Sequence, residues 1–299
     1  MRRIDTKLFK GVVVALITPL TQRREVDLRG LEKQVQHMLD RGVDGFFVNG
    51  TTGEGAYLTI EEKTTVIKKV KGMSKDAKLF AACIQPSTEM TLKEVDVVSP
   101  LGPDFIVVTT PYYNKVSQGA LVEHFVALSK RSKIPIVAYD IPGCTINKIE
   151  LKTLQAMRER VAICGKKDSS ADFIGFQEGV LREKKDFFWL QGDDRLDGPS
   201  LLVGADGMVT GLGNVWIDPY VEMYQAMQSG EISRVNECQA EILKLYEIQR
   251  AVDNKGILAI KYATSLLGRC KRWTKMYPMD LDAQEMKKIE RVLSELHLL

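Results

Sequence analysis

The sequence predicts an α/β fold of the (β/α)₈ type, a TIM barrel with additional C-terminal helices. Three observations carry this. Eight short apolar runs, rich in β-branched and aromatic residues, alternate with segments of helical periodicity from one end of the chain to the other. A length of 299 residues suits one such barrel, as it would also suit two smaller domains. The turn after the first strand reads Thr18-Pro19-Leu20-Thr21, without the GxGxxG that a dinucleotide-binding open sheet places there. A doubly wound open sheet is the alternative that uses the same alternation. Residues 1–218 are expected to form the barrel and residues 219–299 a helical region packed on it.

Taken in order, residues 11–18 are nearly all apolar, as a strand buried on both faces requires. Asp27 predicts an N-cap for a helix over 28–41, where Leu31, Val35 and Met38 recur at helical spacing. The second strand, 45–49, runs into Gly50-Thr51-Thr52-Gly53-Glu54-Gly55. Helix 60–73 leads to a third strand at 78–84, with a polar exit over 85–88. Helix 89–98 leads to a fourth strand at 104–110, which ends in Pro111-Tyr112-Tyr113-Asn114-Lys115. Helix 119–130 precedes the fifth strand, 134–139, and its exit Asp140-Ile141-Pro142-Gly143-Cys144. Helix 148–158 precedes the sixth, 162–170, where an apolar start gives way at once to Lys166-Lys167-Asp168-Ser169-Ser170. Helix 172–181 precedes the seventh, 187–191, which ends in Gly192-Asp193-Asp194. A short helix then precedes the eighth, 207–210. From about residue 219 the pattern is helical to the end, with Pro278 as a break.

Bulk properties exclude several function classes. Forty-two basic residues against 39 acidic ones give a net charge of +3, too balanced to attract nucleic acid or an anionic membrane. The basic clusters Arg23-Arg24 and 269–275 are short and read as solvated. Five cysteines stand singly with no CxxC pair, as expected of reduced thiols in a cytoplasmic protein. The N-terminus shows no apolar core of a signal peptide, and no run approaches the ~18 residues of a membrane span. His37, His124 and His297 lie far apart in helical stretches and read as surface or packing residues, so no metal site is expected.

In a barrel the C-terminal strand ends share one face, and chemistry is placed there. The second strand delivers Thr51 and Thr52, the fourth Tyr112 and Tyr113, the fifth Tyr139 and the sixth Lys167. The seventh delivers Gly192 and the eighth Val209-Thr210-Gly211. Each has a plain structural reading: a tight Gly-Thr-Thr-Gly loop, packing tyrosines, and two lysines solvated at a strand end. Together they are complementary. Burial lowers a lysine's pKa, and the neutral amine attacks a ketone to form a Schiff base. Glycine-framed N–H groups and threonine hydroxyls suit a carboxylate. A phenol relays a proton. The set fits Schiff-base chemistry on a 2-oxo acid.

These motifs resemble the dihydrodipicolinate synthase / N-acetylneuraminate lyase family of pyruvate-dependent class I aldolases. The resemblance spans about residues 8–298. It rests on Gly50-Thr51-Thr52-Gly53-Glu54, Pro111-Tyr112-Tyr113-Asn114-Lys115, Tyr139-Asp140-Ile141-Pro142-Gly143, Lys167-Asp168-Ser169-Ser170-Ala171-Asp172 and Gly204-Ala205-Asp206-Gly207, in that order and spacing. It implies that Lys167, directly followed by an acid, is the Schiff-base lysine. It implies that Tyr139 shuttles protons with Thr51 and Tyr113 as relay partners, the counterpart of Tyr113 coming from a neighbouring subunit in family tetramers. Thr51 and Thr52 would hold the carboxylate, the Val209 carbonyl would contact pyruvate, and Gly192 and Asp193 would meet the hydroxyls of a sugar chain. The resemblance further implies no bound cofactor, pyruvate and an aldehyde as partners, and a homo-oligomer, dimer or tetramer.

Two positions depart from the family's pattern. Lys166 stands where the family usually has an apolar residue. Cys144 stands where dihydrodipicolinate-forming synthases typically carry an arginine for the aldehyde's carboxylate, and a thiol cannot make that bidentate pair. The favoured expectation is therefore an aldolase of 2-keto-3-deoxy sugar acids. One alternative is a 4-hydroxy-tetrahydrodipicolinate synthase, condensing pyruvate with aspartate semialdehyde and taking its carboxylate contact from elsewhere. The other is a non-catalytic 2-oxo acid binding protein.

Overall fold

The computed structural model describes residues 9–160, 163–182, 186–276 and 280–299. Ala162 and Pro278, assigned above to the sixth strand and to a helix break, lie outside them. Eight parallel strands close into a barrel in chain order: β1 (Gly11–Ala15), β2 (Gly45–Val48), β3 (Lys78–Cys83), β4 (Phe105–Thr109), β5 (Ile136–Asp140), β6 (Ile163–Asp168), β7 (Phe188–Gln191) and β8 (Gly207–Thr210). β8 closes on β1 with Gly11 opposite Gly207 and Val14 opposite Thr210.

The helices are α1 (Leu28–Leu39), α2 (Ile60–Met73), α3 (Thr88–Val98), α4 (Gln118–Arg131), α5 (Pro142–Thr145), α6 (Leu151–Arg160), α7 (Phe173–Arg182), α8 (Asp197–Leu202), α9 (Asp218–Ser229), α10 (Ile232–Arg250), α11 (Gly256–Leu266) and α12 (Ala283–Glu295). Asp27 caps α1 as expected, accepting from the N–H groups of Arg29 and Gly30. Thr59 with Glu62, and Asp282 with Glu285, form capping boxes on α2 and α12. Each cap stabilises its helix by about 1 kcal/mol.

Strand alternation builds two apolar layers. Val12, Val14, Phe46, Val48, Ile106, Val108 and Trp189 face outward onto the helices. Val13, Phe47, Phe80, Phe105, Val107, Val137, Phe188 and Leu190 fill the barrel. Phe80 and Phe105 stack at 4.6 Å, and Phe9 and Phe188 meet them edge-on, so aromatic rings plug the interior at the N-terminal end. α10 packs against α9, α11 and α12, and side chains of α10 and α11 reach the mouth at the opposite end.

Several boundaries differ from the sequence expectation for identifiable reasons. β1 ends at Ala15, short of 18, because the Ile17 N–H turns to the Asn214 side chain at 3.0 Å. α6 starts at Leu151, because the Ile149 N–H donates to Asp140 Oδ1 at 3.0 Å. β6 ends at Asp168, whose carboxylate takes the Ser170 N–H at 2.8 Å. His297 lies past the end of α12 in the left-handed region, with φ of 56°, and is not helical. His124 is a buried packing residue on α4, bonded through Nδ1 to the Thr88 hydroxyl and through Nε2 to the Thr109 carbonyl.

One irregularity in the barrel matters for the site. Ile136 pairs with Ile163, but Val137 pairs with Gly165, so Cys164 is an extra residue in β6. Cys164 faces the interior with Val137 and Tyr139. Above the bulge Tyr139 lies opposite Lys167, and Asp140 opposite Asp168.

Candidate active site

Both lysines of β6 are buried, each only 5% exposed, which overturns the reading of a solvated strand end. They face opposite sides of the wall. The Lys167 ammonium lies inside, 4.1 Å from the centroid of the Tyr139 ring and 4.6 Å from that of Phe47. Those two rings meet edge to face at 5.8 Å. The negative faces of the rings favour a cation where water is scarce.

Above Lys167 opens a cavity of about 280 Å³. Its walls come from nearly every part of the mouth: Ala15 of β1, Thr51 and Thr52, Tyr139 and Ile141, Ser169, Gly192 to Arg195, Val209 and Gly211. α10 and α11 close the remaining side with Tyr246, Gln249, Ile257 and Ile260. Seven of the nine expected site residues thus line one chamber: Lys167, Tyr139, Thr51, Thr52, Val209, Gly192 and Asp193.

The other two do not line it. Tyr113 is 83% exposed, with a φ of 79° that is strained for a bulky side chain. Cys144 sits exposed on the short α5. Partial burial pushes its thiol pKa up, against a smaller downward pull from the Lys167 charge.

The Thr51-Thr52 loop is held from outside the barrel. Glu54 is fully buried with φ of 58°, and its carboxylate accepts from Lys261 Nζ of α11 and from the Thr274 hydroxyl. It also accepts from the N–H groups of Lys275 and Met276, at 2.6 and 2.9 Å. Burial lowers the Lys261 pKa, and Glu54 partly restores it. The Thr18 hydroxyl donates to the Gly53 carbonyl at 2.7 Å on the inner side of the same turn.

Gly192 leaves room for the lysine. A Cβ there would sit 2.3 Å from Ser169 Oγ and 2.9 Å from Lys167 Cε. Its N–H donates to the Asp168 carbonyl at 2.7 Å, and its carbonyl accepts from Ser169 Oγ at 3.1 Å. At the rim Asp193 engages Arg195 through two hydrogen bonds, at 2.8 and 2.5 Å, and that pairing holds the guanidinium pKa above its ordinary value. The Arg195 guanidinium also lies over the Tyr246 ring, 5.2 Å from its centroid.

Sequence reasoning missed Ser169, Arg195, Tyr246, Gln249 and the α11 side chains. Tyr246 and Gln249 follow one helix face at i and i+3, a spacing that signals only that they share a side. Nothing in the local sequence says that this side faces a strand mouth about a hundred residues earlier in the chain. It also missed the role of Lys166, which faces outward between two carboxylates, 2.8 Å from Asp140 and 2.7 Å from Asp168.

The sequence model of the Dihydrodipicolinate synthetase family matches residues 8–296. The chain belongs to this family. The 4-hydroxy-tetrahydrodipicolinate synthase of Listeria innocua serovar 6a is 31% identical over 95% of the chain and 98% of that protein. The crystal structure of dihydrodipicolinate synthase from Aquifex aeolicus superposes with a TM-score of 0.91 at 30% identity, covering 97% of this chain and 99% of that one. A dihydrodipicolinate synthase from Acinetobacter baumannii, complexed with pyruvate, superposes with a TM-score of 0.92 at 25% identity over 97% and 99%. Membership in the dihydrodipicolinate synthetase family makes the chain a class I aldolase acting on pyruvate, a lyase whose covalent intermediate is a lysine Schiff base.

Proposed function

We propose that Lys167 is the Schiff-base lysine and that the enzyme makes or cleaves 2-keto-3-deoxy sugar acids, joining pyruvate to a neutral hydroxylated aldehyde. The observation that carries the first half is the position of Lys167, the one lysine lining the cavity among the described residues, against the Tyr139 ring. The amine adds to the C2 carbonyl of pyruvate and water leaves, giving an iminium. Loss of a C3 proton gives the enamine, whose C3 attacks the aldehyde carbon while the aldehyde oxygen takes up a proton. Water then releases the product and the lysine; cleavage is the reverse. Tyr139 moves the protons with Thr51, which lines the same cavity, as relay partner, and the Thr51-Thr52 turn receives the pyruvate carboxylate.

The second half rests on the rim. Arg195 is the one guanidinium lining the cavity among the described residues, and Asp193 already occupies it. Cys144 is a neutral thiol. The Gln249 amide and the remaining acceptor capacity of the Ser169 hydroxyl and the Gly192 carbonyl offer hydrogen bonds suited to hydroxyls rather than a free cation suited to a second carboxylate. The strained, exposed Tyr113 fits a relay partner that reaches its site across an interface in a homo-oligomer. Five free thiols suit a cytoplasmic enzyme.

Borohydride with pyruvate is expected to leave a reduced three-carbon adduct at Lys167, read by peptide mass spectrometry. An unmodified Lys167 in folded protein refutes the nucleophile. Cleavage of 2-keto-3-deoxygluconate, measured beside condensation of pyruvate with aspartate semialdehyde, decides the substrate. Faster condensation refutes the sugar-acid reading.

A further inference from the structure

Twin lysines in a strand pose a register question. Successive side chains of a strand face opposite sides, and a one-residue slip exchanges them. Cys164 faces the interior, so an unbroken alternation would also turn Lys166 inward. In that register Lys166 would lie opposite Tyr139, the seat that Lys167 holds, and Lys167 would face the helices. The bulge at Cys164 prevents this.

Something must favour the bulged register, and the outer face of the wall shows what does. Lys166 is buried there beneath the Trp189 ring, 5.6 Å from its centroid, with Asp168 on its own strand and Asp140 on the neighbouring one. Asp168 is two residues along the same strand face and stays beside Lys166 in either register, so it is Asp140, on the outer face of the neighbouring strand, that Lys166 meets only while the pair points outward. Asp140 accepts the Ile149 N–H and Asp168 the Ser170 N–H, so both carboxylates are tethered to their loops. In the slipped register Asp168 would enter the cavity, and the lysine then facing outward would keep Asp140 alone. Burial opposes the Lys166 charge, but the carboxylates, Asp168 ahead of Asp140, outweigh it and raise the lysine's pKa.

We propose that Asp140 and Asp168 clamp Lys166 on the outer face and so determine which of the two lysines enters the cavity. This makes Lys166 a positioning residue for Lys167 and Tyr139. The inference rests on the reading of Lys167 as nucleophile, and its test separates the two. Native reductive methylation with formaldehyde and cyanoborohydride, mapped by mass spectrometry, reports lysine access without pyruvate. In the unmodified enzyme Lys167 is expected to react and Lys166 to stay protected. In Asp140→Asn/Asp168→Asn, Lys166 is expected to react at least tenfold faster, and pyruvate with borohydride to label both lysines. A folded double variant that keeps Lys166 protected, takes the adduct at Lys167 alone and shows only a lowered Tm overturns the clamp. Should that variant not fold, Lys166→Met/Asp140→Asn keeps the triad's net charge. Its kcat is then expected to fall at least tenfold, and a kcat within twofold of the unmodified enzyme overturns the clamp. Absence of any pyruvate adduct in the unmodified enzyme would instead refute the nucleophile, while the methylation pattern still judges the clamp.

Discussion

Replacing Glu54 by glutamine tests whether the C-terminal region holds the Thr51-Thr52 loop. Both Glu54 and Lys261 have side chains with no solvent exposure. Glutamine removes the anion and leaves the buried Lys261 ammonium with neutral acceptors alone, the Trp273 carbonyl 2.8 Å away and at most the new amide oxygen. An uncompensated buried charge costs about 3–5 kcal/mol. Oε2 also accepts two backbone N–H groups and the Thr274 hydroxyl. If the new amide nitrogen takes that place, donors face a donor at a further cost of about 1–3 kcal/mol. The sum is comparable with the whole stability of many domains, about 5–15 kcal/mol. The loss is expected in urea unfolding at pH 7, with a raised pyruvate KM because Glu54 lies two residues beyond Thr52 in the same turn. The companion Glu54→Gln/Lys261→Met removes the stranded charge and should regain at least ~2 kcal/mol. Equal stability of the single and double variants, or an unchanged KM in a destabilised Glu54→Gln, refutes the reasoning.

Two further outcomes follow from the same geometry. Gly192→Ala should cost about 1–3 kcal/mol through overpacking, and should slow borohydride-trapped imine formation more than tenfold, because the new methyl meets Ser169 Oγ and Lys167 Cε; an unchanged trapping rate counts against a tight seat for the lysine. Burial lowers the His124 pKa from 6.5 to about 4, so its neutral form stabilises the fold fully above pH 6.5, and that stability is lost as pH falls towards 4. The difference is on the order of 3 kcal/mol. His37 titrates in the same window but is only half-buried, so solvent screening reduces its share. Urea unfolding at pH 7 and pH 4.5 should therefore differ less in His124→Gln than in the unmodified protein, and an equal difference removes His124 from the account.

The barrel was legible because parallel strands buried on both faces must be apolar runs, and eight of them alternate with helices. The strand-end residues were legible for the same reason: polar groups such as Thr51, Tyr139 and Lys167 interrupt apolar runs where the mouth begins. Face and register were not. No periodicity identifies Cys164 as a bulged residue, so nothing in the sequence shows from local pattern alone which lysine turns inward. The acids that pair with Lys166 are one on its own strand and one on the strand before it, joined only by the closed ladder. The wall formed by Tyr246, Gln249 and Ile260 depends on where α10 and α11 pack, a tertiary choice that helical spacing leaves open.

The charge balance of the cavity also bears on the second substrate. With Arg195 paired to Asp193, Lys167 is the other cation lining the cavity among the described residues. An iminium formed at Lys167, as proposed above, would place its positive charge against the Tyr139 and Phe47 rings, and the carboxylate of pyruvate would balance it. Those two charges would then cancel before the aldehyde enters. An aldehyde with its own carboxylate would bring an unbalanced negative charge into a confined space of about 280 Å³, beside Asp194 and the Asp193 pair. Desolvating such an anion without a partner is costly, whereas hydroxyls need only hydrogen bonds. The exposed Cys144 thiol, which does not line the chamber, supplies no such partner. On the proposed reading of Lys167, these electrostatics favour a neutral aldehyde as the partner of pyruvate.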